Sequence, residues 1–414
     1  MSAQLIQLVV QALSIALLAR VLPVNDLGLL VSLTAITSIL APFVGLGAPN
    51  LLIRDMGRDR QAFRQQWGNL VFSTLLSGPF FCLVAIAIAF AVLPRAVPAW
   101  EIMCVTVIEL LLLRAVALIS LALQGQGMIE RMSQLTILMA CTRLFTVFLL
   151  LMLPAGFRQI RTWLLLYSAT GVLLAACVFW SAWRAFGKPS RSHLDMKRNF
   201  REGLWFVFSP MAQSLNNDAD KIILARFDGL SNVAFYGVAY KIVFAAFVPV
   251  QALLTVTYPQ FFRQGRGGIR QTAQYAARWL QPALGYSLLA GVLLFTAAPA
   301  APWLLGPKYL ETATALKFLA ALPLLKTLQF LYADALTGAD FQRLRVGLHV
   351  LIAILNLALN LAWVPRYGWH GAAWATLACD GAMAILFMGA TWRLHRNERH
   401  RVLTAKATAA KFYD

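Results

Sequence analysis

Eleven ionisable residues stand inside runs that are otherwise apolar: Glu109, Arg114, Arg143, Asp218, Asp220, Lys221, Lys241, Lys317, Lys326, Asp334 and Asp380. A charge at bilayer depth costs at least ~2.5–3.5 kcal/mol on insertion scales, so each needs a partner, a water-filled cavity or a ligand. Six are bases and five are acids, a near-balance that allows mutual pairing between helices. Asp218 and Lys221, spaced i,i+3, share a helix face and are expected to pair. Glu109 and Arg114 are five apart and do not share an α-helical face well. Arg143 lies halfway along its run with only Cys141 and Thr142 as small neighbours, and snorkelling from there is strained. Arg143 and Lys326 are therefore expected to face an aqueous lumen and attract an anionic substrate, with structural pairing as the alternative.

Uncharged polar side chains recur at helical spacing. Gln4, Gln7, Gln11 and Ser14 fall within one ~80° arc of the first helix. Ser209, Gln213, Asn216 or Asn217, and Asp220 form a stripe on the seventh, and Asn356 and Asn360 lie one turn apart on the eleventh. Interhelical hydrogen bonding explains any one stripe. Their presence on the opening helices of both halves points instead to a shared polar lumen, with Gln7, Gln11, Gln213, Asn217, Asn356 and Asn360 as its candidate lining.

Catalytic and cofactor signatures are missing. The chain has no phosphate-binding G-x-x-x-x-G-K-[ST], no HExxH and no G-x-S-x-G. Gly125-Gln126-Gly127 has no strand before it and reads as a turn. The five cysteines are scattered singly, which indicates neither a disulfide framework nor a zinc site. No catalytic residue, cofactor or metal is expected.

The elements that hold these residues follow from composition. The chain is 60% hydrophobic and 13% charged, with mean hydropathy +0.68. A soluble domain carries about 25% charged residues, so lipid must be the solvent here. The fold class expected is an all-α membrane protein of about twelve spanning helices, near 2–22, 27–50, 68–93, 99–123, 133–153, 162–184, 203–226, 233–260, 278–305, 312–337, 345–364 and 371–392. The first stretch lacks a basic n-region and a cleavage site and reads as a retained helix.

The net charge of +19 sits in short loops, which argues against a nucleic-acid partner. Arg54, Arg58, Arg60 and Arg64 follow the second helix; Lys188, Arg191, Lys197, Arg198 and Arg201 follow the sixth; Arg263, Arg266 and Arg270 follow the eighth. The tail adds Arg393, Arg396, Arg399, Arg401, Lys406 and Lys411. All fall on one side, so both ends are expected in the cytoplasm.

The chain also repeats. Leu17-Leu18-Ala19-Arg20 is echoed by Ile223-Leu224-Ala225-Arg226 at an offset of 206, and Ala122-Leu123-Gln124-Gly125 by Ala335-Leu336-Thr337-Gly338 at 213. Two six-helix lobes around a central cavity are therefore expected: 1–184 and 203–392, joined by a basic cytoplasmic linker 185–202 and followed by a cytoplasmic tail 393–414. Such repeats place substrate near the midplane between the lobes. Helix breaks at Pro42, Gly45, Gly47 and Pro49, and prolines at 210, 249 and 259, are candidate kinks.

Three segments resemble one family. Asn360-Leu361-Ala362-Trp363-Val364-Pro365-Arg366-Tyr367-Gly368-Trp369-His370-Gly371-Ala372-Ala373-Trp374-Ala375-Thr376 resembles a signature of the polysaccharide flippases, the Wzx-like branch of the multidrug/oligosaccharidyl-lipid/polysaccharide (MOP) exporter superfamily. Asp220-Lys221-Ile222-Ile223-Leu224 with Tyr236 to Lys241, and Arg20 to Gly28, resemble two more of its segments, with Pro23 where glycine is usual. Physically, Pro365 should end a helix, Gly368 and Gly371 should turn the chain, and Ala372, Ala373 and Ala375 should let the last helix pack closely.

The resemblance implies a flippase that moves an undecaprenyl-pyrophosphate-linked oligosaccharide, an O-antigen, exopolysaccharide or capsule repeat unit, from the inner to the outer leaflet of the bacterial cytoplasmic membrane. It implies membrane lipids and a polysaccharide polymerase of the same pathway as partners. Arg114, Arg143, Lys221, Lys241 and Lys326 would then meet the phosphates, and Asp220, Asp334 or Asp380 would couple transport to a cation gradient. The rivals are a drug/cation antiporter or peptidoglycan-precursor flippase of the same superfamily, and a membrane-embedded glycosyltransferase or ligase. A cationic drug wants an acidic cavity, and a membrane glycosyltransferase usually carries a large catalytic loop; neither is found.

Overall fold

The computed structural model describes residues 2–56, 63–189 and 199–410. Arg58, Arg60, Arg191, Lys197, Arg198 and Lys411 lie outside the described residues, as do the side chains of Gln4, Arg64, Ser209, Arg399, Arg401 and Lys406. The first helix α1 (Ser2–Val21) hands over to α2 (Val24–Leu40) at Pro23, whose missing N–H and extended ψ of 148° stop one helix and start the next. The second span then breaks as expected. A 3-10 turn at Ala41–Phe43 leads into Gly45, Leu46 and Gly47, all at positive φ, before α3 (Ala48–Met56).

Helix α4 (Phe63–Val92) follows, and the fourth span comes in three parts: α5 (Ala99–Val107), a π turn at Ile108–Leu113 and α6 (Arg114–Gly125). Gly127, at φ 77°, makes the expected turn into α7 (Ile129–Met152), and α8 (Ile160–Phe186) completes the first lobe. The second lobe holds α9 (Leu204–Phe227), α10 (Leu230–Gly265), α11 (Gly268–Ala297), the short α12 (Ala301–Leu305), α13 (Leu310–Leu319), α14 (Leu322–Gly338) and α15 (Gln342–Ala410). Helix α15 continues past Pro365, contrary to the sequence expectation, and turns at Gly368 (φ 57°, ψ −139°). Near a helix C-terminus the proline costs one hydrogen bond; the left-handed φ, which only glycine adopts freely, is what ends the helix.

Among the described residues, eight helices are long and apolar enough to cross a membrane, and nine if α13 and α14, bent by 44°, form one span. The other three of twelve spans fail that test for visible reasons. Helix α15 holds two spans across Gly368, α1 is apolar only from Val9, and α9 carries Asp218, Asp220 and Lys221. The third span of each lobe presents a broad apolar face outward: Leu75, Leu76, Phe80 and Leu83 on α4, and Leu288, Leu289, Val292 and Leu293 on α11, are all more than half exposed. In the last span Ala372, Ala373 and Ala375 are fully buried, the close packing expected of small residues between membrane helices.

The repeat becomes a symmetry. Asn25 and Ser231, 206 residues apart, touch through their side-chain oxygens at 2.5 Å. Val31 and Gly237, at the same offset, are also in contact, so closely that a Cβ on Gly237 would meet the valine methyl at 2.6 Å. Equivalent residues meet one another only on a two-fold axis. A pseudo-two-fold axis therefore runs between α2 and α10, the second helix of each lobe.

Candidate functional site

The two lobes are sealed at the end where α1 turns into α2. Arg20 donates from Nε to the Leu304 carbonyl (2.7 Å) and from Nη2 to that of Trp303 (2.8 Å), tying α1 to α12. Gly28 lies so close to the Leu230 carbonyl that any Cβ would overlap it. Away from this seal a central cavity of about 420 Å³ lies between the lobes, lined among others by Gln11, Ser38, Arg143, Asn217, Lys221 and Lys241. A second cavity of about 390 Å³ continues from it toward the far end, between Gln7 and Gln11 of α1, Phe244 to Thr255 of α10 and Asp334 of α14. A third, of about 260 Å³, opens within the first lobe between α1, the π turn, α7 and α8, and holds Arg114 and Tyr167. Gln11 lines all three cavities.

The two stripes on the opening helices stand at equivalent positions, since Gln7 and Gln213, Gln11 and Asn217, and Ser14 and Asp220 obey the 206 offset. Only part of that set faces water. Gln7, Gln11 and Asn217 line the cavities. Gln213 is half-buried and lines none of the three. Asn356 and Asn360, expected in the lumen, are fully buried within the second lobe, where the Asn360 amide donates to the Asn356 carbonyl (2.9 Å) and Oδ1 (3.1 Å). One turn apart on a helix, they bond to each other in a packed interior, and the Asn356 Nδ2 and Asn360 Oδ1 stay buried with no hydrogen bond among the described residues.

The five candidate bases divide sharply. Lys221 is buried and bound to Asp218 (3.0 Å) and Asp220 (3.2 Å), the first of these being the i,i+3 pair expected from the sequence; Tyr240 covers its ammonium at 4.1 Å. Lys326 is buried against Asp380 (3.0 Å), which also accepts from the Asn216 amide (3.2 Å). Arg143 approaches Glu109 only at 3.9 Å, and the Tyr167 hydroxyl donates to the same carboxylate at 2.8 Å. Arg114 and Lys241 have no ion-pair or hydrogen-bond partner among the described residues, and the Arg114 Nε is buried. Two bases are thus neutralised within the fold, whereas Arg114, Arg143 and Lys241 leave positive charge unspent around the cavities.

The three candidate ion-coupling acids also differ. Asp220 is fully buried and accepts from Tyr236 (2.6 Å), Thr376 (3.3 Å) and the Lys221 backbone (2.7 Å). Asp380 is equally buried, on Lys326. Asp334 lines a cavity and pairs with Arg345 at 3.2 Å. Sequence reasoning missed Tyr167, Tyr236 and Tyr240, whose hydroxyls organise the buried charges. For the latter two the i,i+4 spacing on α10 was a signal, since such residues share a face; for Tyr167 there was none. Outside the membrane, Asp228 accepts from the Trp369 backbone (2.8 Å), and burial raises its carboxyl above the usual range.

The architecture has known counterparts. An inward-facing multidrug resistance MATE family transporter of the MOP superfamily superposes with a TM-score of 0.71 at 14% identity, over 95% of this chain and 96% of its own. The lipid II flippase MurJ, in an inward closed conformation, superposes with 0.72 at 11% identity, over 98% and 92%. An outward-facing MATE transporter of the same superfamily reaches 0.56 at 16% identity, over 95% and 98%. The search of curated proteins gave no match. These likenesses establish the fold, that of two six-helix lobes about a central cavity. A family model described as "Polysaccharide biosynthesis protein" matches residues 1–264, well over half the sequence. With its paired-lobe fold, repeat and cavity, this multi-pass membrane chain belongs to the polysaccharide biosynthesis protein family.

Proposed function

We propose that the protein flips an undecaprenyl-pyrophosphate-linked oligosaccharide from the inner to the outer leaflet of the bacterial cytoplasmic membrane by alternating access, with both termini in the cytoplasm. The observation that carries this reading is the charge around the cavities, where Arg114, Arg143 and Lys241 lack strong acidic partners. A diphosphate with several sugars cannot cross hydrocarbon, because a buried ion costs of order tens of kcal/mol by Born estimates. Cations for the phosphates, and amides and hydroxyls such as Gln7, Gln11, Ser38 and Asn217 for the sugar, replace its water. The prenyl chain stays in lipid. In the proposed orientation the sealed end is periplasmic and the cavities continue toward the cytoplasm; the higher TM-scores to the two inward structures agree with that state. A carrier of cationic drugs would want the opposite charge in its cavity.

Coupling to a cation gradient belongs, in this reading, to Asp334, the one of the three acids that lines a cavity. Vesicles loaded with a fluorescent prenyl-diphosphate oligosaccharide test the whole reading. Arg143→Ala abolishes flipping and Arg143→Lys keeps part of it. Full activity of the alanine variant at normal expression removes Arg143 from headgroup handling, and no flipping by the native protein sinks the function.

A further inference from the structure

The two lobes treat the base on their fourth helix differently. In the second lobe Lys326 of α14 meets Asp380, supplied by the sixth helix of that lobe, and the pair is buried. In the first lobe Arg114 begins α6 directly after the π turn, and the sixth helix of that lobe presents Tyr167 rather than a carboxylate. The one acid nearby, Glu109, is held by the Tyr167 hydroxyl at 2.8 Å and reached by Arg143 only at 3.9 Å. Two arginines thus line a cavity whose one carboxylate, among the described residues, is approached by Arg143 alone. Arg114 faces the 260 Å³ cavity with its Nε buried and unbonded.

The π turn is what assembles this group. On an α-helix residues five apart point about 140° away from each other. The i→i+5 bonding of a π turn returns residue i+5 to nearly the same face, and such turns concentrate at functional sites. Glu109 and Arg114, five apart across Ile108–Leu113, consequently line one cavity.

We propose that the side cavity of the first lobe is an anion-binding subsite, in which Arg114 and Arg143 grip a diphosphate and Glu109 is the built-in counter-anion that the ligand displaces from Arg143. Arginine suits the task because its planar fork of donors matches phosphate oxygens bidentately. The second lobe carries its anion covalently, as Asp380; the first must import one. Gln11, Glu109 and Arg143 line both this cavity and the central one, so a diphosphate here can stay joined to a sugar lying between the lobes. This inference deepens the flippase reading and rests on it for the identity of the cargo.

Inorganic pyrophosphate added to the detergent-purified protein, against chloride of equal ionic strength, is the direct test. Saturable thermal stabilisation is expected. Arg114→Gln should raise the half-saturating concentration at least about tenfold, the usual loss when a charge-assisted hydrogen bond is removed. Arg114→Lys, which keeps the charge, should lie between and covers the case in which the glutamine variant does not fold. Tyr167→Asp, which gives the first lobe a carboxylate on its sixth helix, should abolish the response. Glu109→Gln should lower the half-saturating concentration. An unchanged response in both Arg114→Gln and Tyr167→Asp overturns the subsite. If flipping is then still lost in Arg143→Ala, the flippase reading survives and the diphosphate sits in the central cavity. Comparison with a prenyl diphosphate in micelles separates the sources: tighter saturation identifies a lipid-borne headgroup, and equal values a free diphosphate, either outcome upholding the anion site.

Discussion

Two kinds of charge share this membrane interior, and pairing distance separates them. Lys326 and Asp380 sit 3.0 Å apart with almost no exposure, and a buried pair of this kind stabilises only while both partners remain. Asp380→Asn should therefore cost about 3–5 kcal/mol by leaving an uncompensated ammonium, whereas Lys326→Met with Asp380→Leu should recover most of it. Thermal unfolding in detergent checks both, and equal loss in the single and double variants would contradict the pairing. The sequence marked both residues as unusual but not as partners, because they lie on different spans and no local spacing links them. Asp218 and Lys221 were legible as a pair, since i,i+3 neighbours meet on any α-helix. Arg143 drew attention for its depth, and its weak contact with Glu109 leaves that reading open to the ligand.

Glycine and helix geometry decide matters at the level of elements. Gly368 holds φ at 57°, and a Cβ there would stand 2.6 Å from the Asp228 carboxylate, which already accepts from Trp369. Gly368→Ala combines a left-handed backbone costing roughly 1–2 kcal/mol with that clash, so it should lower the melting temperature and the yield of folded protein. Unchanged melting would show that the turn relaxes without loss. The π turn makes a different prediction. Deleting Leu111 should restore α-helical bonding and leave Glu109 and Arg114 at i,i+4, about 40° apart and still on one face. The protein should still fold, as fluorescence-detected gel filtration reports, and keep flipping substrate. Loss of transport in the folded variant would show that the π turn does more than align these two residues. Nothing in Ile108-Glu109-Leu110-Leu111-Leu112-Leu113 announces such a turn; it is set by packing.

The whole molecule turns on the seal near the pseudo-two-fold axis. Asn25 and Ser231 touch across it, Arg20 fastens α1 to α12, and Gly28 brings α2 against the start of α10. At the other end, among the described residues, Gly47 lies against the Gly203 backbone where the second lobe begins, and Arg54 pairs with Glu202 of the linker at 2.8 Å. In the proposed alternating-access cycle, rocking about these contacts opens the seal. Asn25→Cys with Ser231→Cys, in a background without native cysteines, should therefore form a disulfide that blocks flipping, with recovery on reduction. Full transport by the completely oxidised protein would mean the seal does not part at these residues.

Hydropathy, loop charge and the two offset echoes were enough to read twelve helices, two lobes and a cavity between them, because lipid forces every span to be a closed hydrogen-bonded helix and duplication leaves a register. The Gly-Ala-Ala segment and its neighbours carried the family. Which charges are spent and which are free was decided only by the tertiary structure. Pairing between Lys326 and Asp380, the burial of Asn356 and Asn360 inside the second lobe, and the alignment of Glu109 with Arg114 all depend on how helices pack or on a local change of helix type. A linear spacing rule built on 3.6 residues per turn cannot express either.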